Sequence, residues 1–258
     1  MLMNTRWPRI LGYHSISRLN DDPNMMCTSP ERFESQMLYL KRRNLRGVSV
    51  RELLKAWDTG STRGLVGLTF DDGYEDFLHT ALPMLERLRF SATVFAVGAM
   101  LGGENDWKHF YTPKPRIKLL GAAGIREISE RGVEVGAHSM SHPVLPSLVT
   151  EELEKEVSDS RRILSELLGE DVEGFCYPYG ILDHASIQAV RRAGYAYACA
   201  GNTRVEGTIH DLPRTPVADR DNLLRFSAKL MIHAQYRAAK RIYYLFFQKS
   251  EQAPLIPR

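Results

Sequence analysis

The residues with chemistry to offer fall in a few short stretches. In "LTFDDGYEDF", residues 68–77, an apolar run ends in two adjacent carboxylates, Asp71 and Asp72. Adjacent acids repel each other and cost desolvation wherever they are partly buried, so such a pair calls for a cation. In "GAHSMSHP", residues 136–143, His138 and His142 stand four apart, which brings two imidazoles to one side of a helical turn or a tight loop. One carboxylate with two imidazoles suits Zn²⁺ or a similar divalent ion and leaves positions open for water and substrate. The ion would neutralise one acid and leave the other free to act as a base. Either stretch alone is weak. An Asp-Asp-Gly at a strand end is commonly a turn with a helix cap, and two histidines share a surface loop by chance. Together, each ending a strand, they point to a metal centre.

Short apolar runs alternate with helical patterns along most of the chain. "RILGYHSI", "GLVGLTF", "SATVFAVG", "GVEVGAHS", "VEGFCYPYG" and "YAYACAG" read as buried strands. Between them, "SPERFESQMLYLKRRN" carries Ser29 as N-cap and Pro30 at the first helical position. The helix opening at Thr150 has acids in its first turn and stops at Gly169, and another runs from Asp183 to Gly194. This alternation predicts a mainly parallel α/β architecture, open sheet or barrel. In both, functional residues collect at the carboxyl ends of strands, where Asp71 and Asp72 stand. The stretch 102–115 has no periodicity and reads as a surface loop or lid, in which Trp107 and His109 either line a ligand subsite or simply pack.

Bulk properties narrow the classes. At 258 residues the chain can fold as one α/β domain, and a net charge of +3 without a Lys/Arg tract gives no reason to expect nucleic acid. Three scattered cysteines suggest neither a zinc knuckle nor a disulfide framework. Arg6, Trp7 and Pro8 interrupt the start where a signal peptide needs an apolar core, so a cytoplasmic setting is expected.

"LTFDDGYED", "GAHSMSHPVLP" and "FCYPYGILD", in that order, resemble the first three motifs of the polysaccharide deacetylases, the NodB-homology members of carbohydrate esterase family 4. The likeness spans about residues 8–220. It implies an α/β fold, a distorted (β/α)7-type barrel. It also implies Asp71 as general base, Asp72, His138 and His142 as metal ligands, and the Tyr179 backbone N–H as an oxyanion donor. The implied reaction removes N-acetyl groups from amino sugars.

Two departures stand out. Many members carry an Arg three residues before the motif tyrosine, where this chain has Cys176, and many supply the acid from a Leu-x-His segment that is missing here. "LGYHSI", "YPYG" and "LPRTP" instead resemble the poly-N-acetylglucosamine deacetylase subgroup with permuted strand order. That likeness makes His14 the general acid and Arg214 the candidate partner of Asp71, with Cys176 a small buried residue.

From 223 to 249 the chain reads as one long helix with six Lys/Arg and no acids, which leaves the rest net acidic by about three charges. Arg225, Lys229, His233, Arg237 and Arg241 form a basic stripe, and Leu224, Met231, Ala238, Ile242 and Leu245 an apolar one. The helix either packs on the barrel with a solvated basic face, the reading preferred, or lies at the inner face of the membrane.

The expectation is a catalytic domain over 8–222 with a C-terminal helix over 223–249. The chain would be a hydrolase that uses Zn²⁺, or alternatively Co²⁺, Ni²⁺ or Fe²⁺, to deacetylate an N-acetylated amino sugar in a polysaccharide, oligosaccharide, or lipid- or nucleotide-linked glycan. Rival readings are a deacylase of another N-acyl sugar, such as a formamido conjugate, and a glycan-binding member without turnover.

Overall fold

The computed structural model describes residues 7–19, 22, 25–107, 116–201 and 205–231. The six apolar runs become β1 (Ile10–Tyr13), β3 (Leu65–Phe70), β4 (Thr93–Ala96), β5 (Glu134–Ala137), β6 (Gly174–Cys176) and β7 (Tyr197–Ala200). Three short strands complete the sheet: β2 (Arg46–Val48), β8 (Leu212–Pro213) and β9 (Thr215–Pro216). Helices α1 (Pro30–Arg42), α2 (Val50–Asp58), α3 (Leu82–Leu88), α4 (Ala122–Glu130), α5 (Thr150–Leu168) and α6 (His184–Arg192) connect them.

Every strand pairing is parallel, in the order β8-β7-β6-β5-β4-β3-β1-β9, with β2 beside the start of β3. β8 and β9 flank Arg214 in one short segment. β8 pairs with β7 and β9 with β1, so residues 212–216 join the two edges and close a barrel. Its staves are β1, β3 to β7, and this closing segment, the seventh. β1 sits between β3 and β9, so the strand order is permuted relative to the chain order.

Alternation along the strands separates two apolar layers. Leu11, Tyr13, Leu68, Phe70, Val94, Val135 and Phe175 point outward and are covered by the helices. Ile10, Phe95, Cys176, Tyr197, Cys199 and Leu212 point inward, closed from below by Val50, Leu53 and Leu54 of α2. Glu134 is buried in that floor, where it accepts from the Tyr197 hydroxyl (2.8 Å), the Thr93 hydroxyl (2.7 Å) and Arg51 N–H (2.9 Å). A carboxylate so partnered avoids the penalty of a lone buried charge.

The helix signals resolve individually. Gly169 ends α5 in a left-handed conformation (φ 70°), and Asp183 forms a capping box at α6. Ser29 departs from expectation: its side chain does not cap α1 but donates to Asp219 Oδ1 at 2.5 Å. Asp219 lies just after β9 and also accepts from Ser29 N–H at 2.9 Å, so the hydroxyl ties the closing strand to the start of α1.

Residues 223–231 are helical. The expected apolar stripe is not the face that packs, since Leu224 is 78% and Met231 61% exposed. Phe226 and Leu230 are buried instead, with Phe226 edge-on to Tyr39 of α1 at 6.0 Å, and Lys229 bonds Asp221 Oδ2 at 2.5 Å. Residues 232–249 of the expected helix lie outside the described residues, as do their basic and apolar stripes. Among the described residues no helix is long and apolar enough to cross a membrane.

Wide inward rings are accommodated by bare glycines on neighbouring strands. A methyl group on Gly136 would meet the Phe95 ring at 2.5 Å and the Gly174 carbonyl at 2.9 Å. Gly136→Ala is therefore expected to destabilise the fold by about 1–3 kcal/mol in urea unfolding, the usual cost of overpacking. An unchanged midpoint would contradict this account of the barrel interior.

Candidate active site

The site forms where three strands run out at one end of the barrel. The inward alternation of β3 continues to Asp71, whose N–H donates to Tyr13 O at 3.0 Å. The backbone then turns left-handed at Asp72 (φ 70°). After β5, His138 continues inward, and Ser139 (φ 64°) and His142 (φ 62°) fold the following residues into a tight loop rather than a helical turn. After β6, Tyr179 is also left-handed (φ 58°). Non-glycine residues in this region are strained, and such strain gathers at functional sites.

Asp72 Oδ1 lies 3.4 Å from His138 Nε2 and 3.3 Å from His142 Nε2, and all three residues are buried. His138 Nδ1 is 2.8 Å from the Cys176 carbonyl. A carbonyl only accepts, so this bond places the proton on Nδ1 and turns the Nε2 lone pair toward Asp72. Neither oxygen of Asp72 has a hydrogen-bond partner among the described residues. Buried carboxylate oxygens left this way are costly, and a divalent cation satisfies both. The donor set, one hard oxygen and two imidazole nitrogens within 4.8 Å of one another, fits a divalent metal.

The electrostatics agree with a site that holds its acids charged. Burial pushes the Asp72 carboxyl up, but the two imidazoles outweigh it and hold it well below the usual carboxylate range. Burial likewise works against charging the imidazoles; it prevails in His142, whose basicity is lowered. In His138 its neighbours Cys176 and Asp72 overcome it, and the basicity rises.

Asp71 has a different partner. Arg214 grips it with both nitrogens, Nη1 to Oδ1 at 2.6 Å and Nη2 to Oδ2 at 2.7 Å. The guanidinium is itself held, donating to Ala200 O (3.2 Å) and the Thr69 hydroxyl (3.0 Å), with Phe95 beneath it. Burial raises the Asp71 carboxyl, but the Arg214 charge and hydrogen bonds win and keep it below its ordinary value. Cys176 donates its S–H to Asp71 Oδ1 at 3.7 Å; burial pushes this thiol up to about 11, so it is a neutral contact and no nucleophile. His14, after β1, faces the same carboxylate, with Nε2 3.9 Å from Asp71 Oδ2, and its side chain is 31% exposed.

Trp107 is buried and its ring lies 4.4 Å from that of His142, so it braces a ligand and offers no open sugar platform. Tyr179 packs edge-on to the same ring at 4.5 Å, and its hydroxyl donates to His142 O at 3.3 Å. His109 lies outside the described residues. One contributor escaped the sequence reading. Glu156 of α5 accepts from Met140 N–H and Ser141 N–H, each at 2.9 Å, and from the Ser141 hydroxyl at 2.6 Å, and so clamps the loop between the two histidines. Nothing in its sequence context sets it apart from the five other acids of that helix.

Fold and site together define a (β/α) barrel with a carboxylate and two imidazoles that could hold a metal ion at its mouth, beside a second, arginine-held carboxylate. The chain belongs to the polysaccharide deacetylase family, whose sequence profile matches residues 59–198. His14, just after β1, and Arg214, between β8 and β9, both fall outside that match. The Bacillus subtilis protein YxkH is 26% identical over 188 residues, covering 72% of this chain and 61% of the relative. The poly-beta-1,6-N-acetyl-D-glucosamine N-deacetylase of Staphylococcus aureus (strain MSSA476) is 23% identical over 203 residues, 72% of this chain and 69% of its own length. Among solved structures, the Streptococcus pyogenes deacetylase PplD in complex with acetate has the same fold, with a TM-score of 0.72 at 20% identity over 87% of this chain and 98% of its own.

The Arg214–Asp71 pair predicts a pH signature. While the pair is present, its stability contribution is full above the pKa of an unfolded Asp and is lost as pH falls through the depressed folded value. Arg214→Met removes the largest lowering influence and leaves burial opposed only by the charges of His138 and His14, so the acid limb of kcat/KM should move to higher pH. Stability near neutrality should fall by about 3–5 kcal/mol, the usual cost of orphaning one member of a buried pair. An unmoved acid limb would show that Asp71 does not set it.

Proposed function

We propose that the protein hydrolyses the N-acetyl group of an amino sugar, releasing acetate and a free amine. The observation that carries this reading is the pairing of opposites at the barrel mouth. Asp72, with unpartnered oxygens, faces two imidazoles, while its neighbour Asp71 is locked ionised by Arg214 and faced by His14. Asp72, His138 and His142 would hold a divalent ion, which we take to be Zn²⁺, with Co²⁺, Ni²⁺ or Fe²⁺ compatible with the same donors. When bound, the ion supplies Lewis acidity, polarising the acyl carbonyl and making water more acidic.

The chain's own residues divide the remaining work. Asp71 accepts a proton from the attacking water, and Arg214 fixes the orientation of that carboxylate. The developing oxyanion needs a preorganised donor, and the role carried over for the Tyr179 amide fits its place in the turn beside His142. The departing nitrogen cannot leave as an amide anion, so an acid must protonate it. His14 stands at the mouth, part exposed, nearest Asp71 Oδ2, whereas Cys176 meets Oδ1. The likeness to a poly-N-acetylglucosamine deacetylase supports N-acetylglucosamine units as substrate. The convergence of base, ligands and acid favours turnover over glycan binding alone.

Metal analysis combined with amine release from N-acetylglucosamine oligomers tests the assignment. Asp71→Asn should lower kcat on the order of 10²–10⁴-fold while retaining bound metal. His142→Ala should lose both metal and activity. Turnover near that of the parent in either variant, or metal lost from the first, would rule the assignment out.

A further inference from the structure

Asp76 follows the acid pair but takes part in neither half of it. It stands at the N-cap position of a single π-turn, Phe77–Ala81, where an Asp ordinarily accepts from the first helical N–H groups. It makes no such bond. Both of its oxygens turn to the segment after β1 instead. Oδ1 accepts from Ile16 N–H at 2.8 Å, and Oδ2 from the Ser15 hydroxyl at 2.5 Å. These are the two residues that directly follow His14. Residues 26–28 grip the same segment from the other side, with Ser15 N–H donating to Met26 O at 3.1 Å and Thr28 N–H to Ser15 O at 2.9 Å.

The His14 ring itself is held far less. It is part exposed, and its 3.9 Å separation from Asp71 exceeds a hydrogen bond. The place of its imidazole is therefore set mainly by the backbone that carries it, and that backbone is fastened to Asp76. Asp76 belongs to the same loop as Asp71 and Asp72, so one carboxylate ties the strand end bearing the base to the strand end bearing His14.

We propose that Asp76 is a positioning residue for proton donation. By bonding Ser15 and Ile16 it fixes His14 at a set distance from the base and ligands of the β3 loop. The inference rests on the reading of His14 as the general acid. A donor displaced by about 1 Å can cost a factor near 10², so the anchor acts on the step that needs the acid and not on the rest.

Kinetics of the metal-loaded full chain on two substrates separate these steps. An N-acetylglucosamine oligomer needs its leaving nitrogen protonated, whereas p-nitrophenyl acetate releases a phenolate that does not. Asp76→Ala is expected to lower amide kcat on the order of 10²-fold with KM and bound metal unchanged, while ester turnover stays within about threefold. Asp76→Asn can still accept from Ile16 N–H and donate to Ser15 Oγ, and should recover amide turnover to within about threefold of the parent. Unchanged amide turnover in Asp76→Ala, equal loss on both substrates, or an Asn variant as damaged as the Ala variant would each overturn the proposal. If Asp76→Ala does not fold, as judged by thermal unfolding, Ser15→Ala removes one of the two bonds. Selective amide loss in that variant supports the anchor, and no loss overturns it. His14→Ala tests the underlying reading separately: amide turnover retained there removes the acid itself, whatever Asp76 does.

Discussion

The bidentate contact between Arg214 and Asp71 is the interaction on which the rest depends. Arg214 lies between the two halves of the segment that closes the barrel, so its backbone completes the sheet while its side chain completes the site. A buried guanidinium without a carboxylate, or the reverse, would be strongly unfavourable. The pair therefore links closure to correct assembly, because the last strand can seat fully only where Asp71 already waits. Thr69, Ala200 and the Phe95 ring take up the remaining donors and the face of the guanidinium, so the charge sits in a prepared slot.

A second layer of carboxylates works from behind. Glu156 collects two amides and a hydroxyl of the loop between the histidines, and Glu134 collects donors at the barrel floor. Glu156 accepts from backbone groups that the loop would otherwise leave to water, and Glu134 takes one N–H of the first turn of α2. The residues at the barrel mouth can then adopt left-handed conformations, as Ser139, His142 and Tyr179 do, because the surroundings over-determine them.

Much of this was legible in the sequence, for physical reasons that can be named. The six strands announced themselves because both faces of a barrel stave are buried, which makes each an apolar run. Asp71, Asp72, His138 and His142 were visible because unlike polar groups interrupt those runs at their ends. The closing segment was not visible as strand. Leu212–Pro216 holds two prolines and pairs through only a few residues on each side, so no periodicity marks it. Its arginine drew notice through resemblance to a family subgroup, not through pattern. Glu156 was hidden because a clamp on backbone amides looks like any helical surface acid. The face of the last helix was misjudged for a related reason: Phe226 packs because Tyr39 lies opposite, and a contact made across the fold leaves no mark in local spacing.

The adjacency of the two acids sets a geometric problem that the backbone solves. Successive side chains of a strand point to opposite faces, so an extended chain would send Asp71 into the barrel and Asp72 out among the helices. The proposed reaction needs both at the mouth. The chain leaves strand geometry at Asp72, with φ 70°, and again at Gly73, with φ 73°. That break turns the second carboxylate back over the top of the barrel toward the imidazoles, while the first stays where alternation put it, against Arg214. The left-handed step costs an Asp less than most residues and a glycine almost nothing, which accounts for both types at these positions. Two identical side chains, on adjacent residues, thereby acquire different partners and, in the proposed reaction, opposite tasks: one meets a guanidinium and keeps its lone pairs for protons, the other meets imidazoles and keeps its lone pairs for an ion.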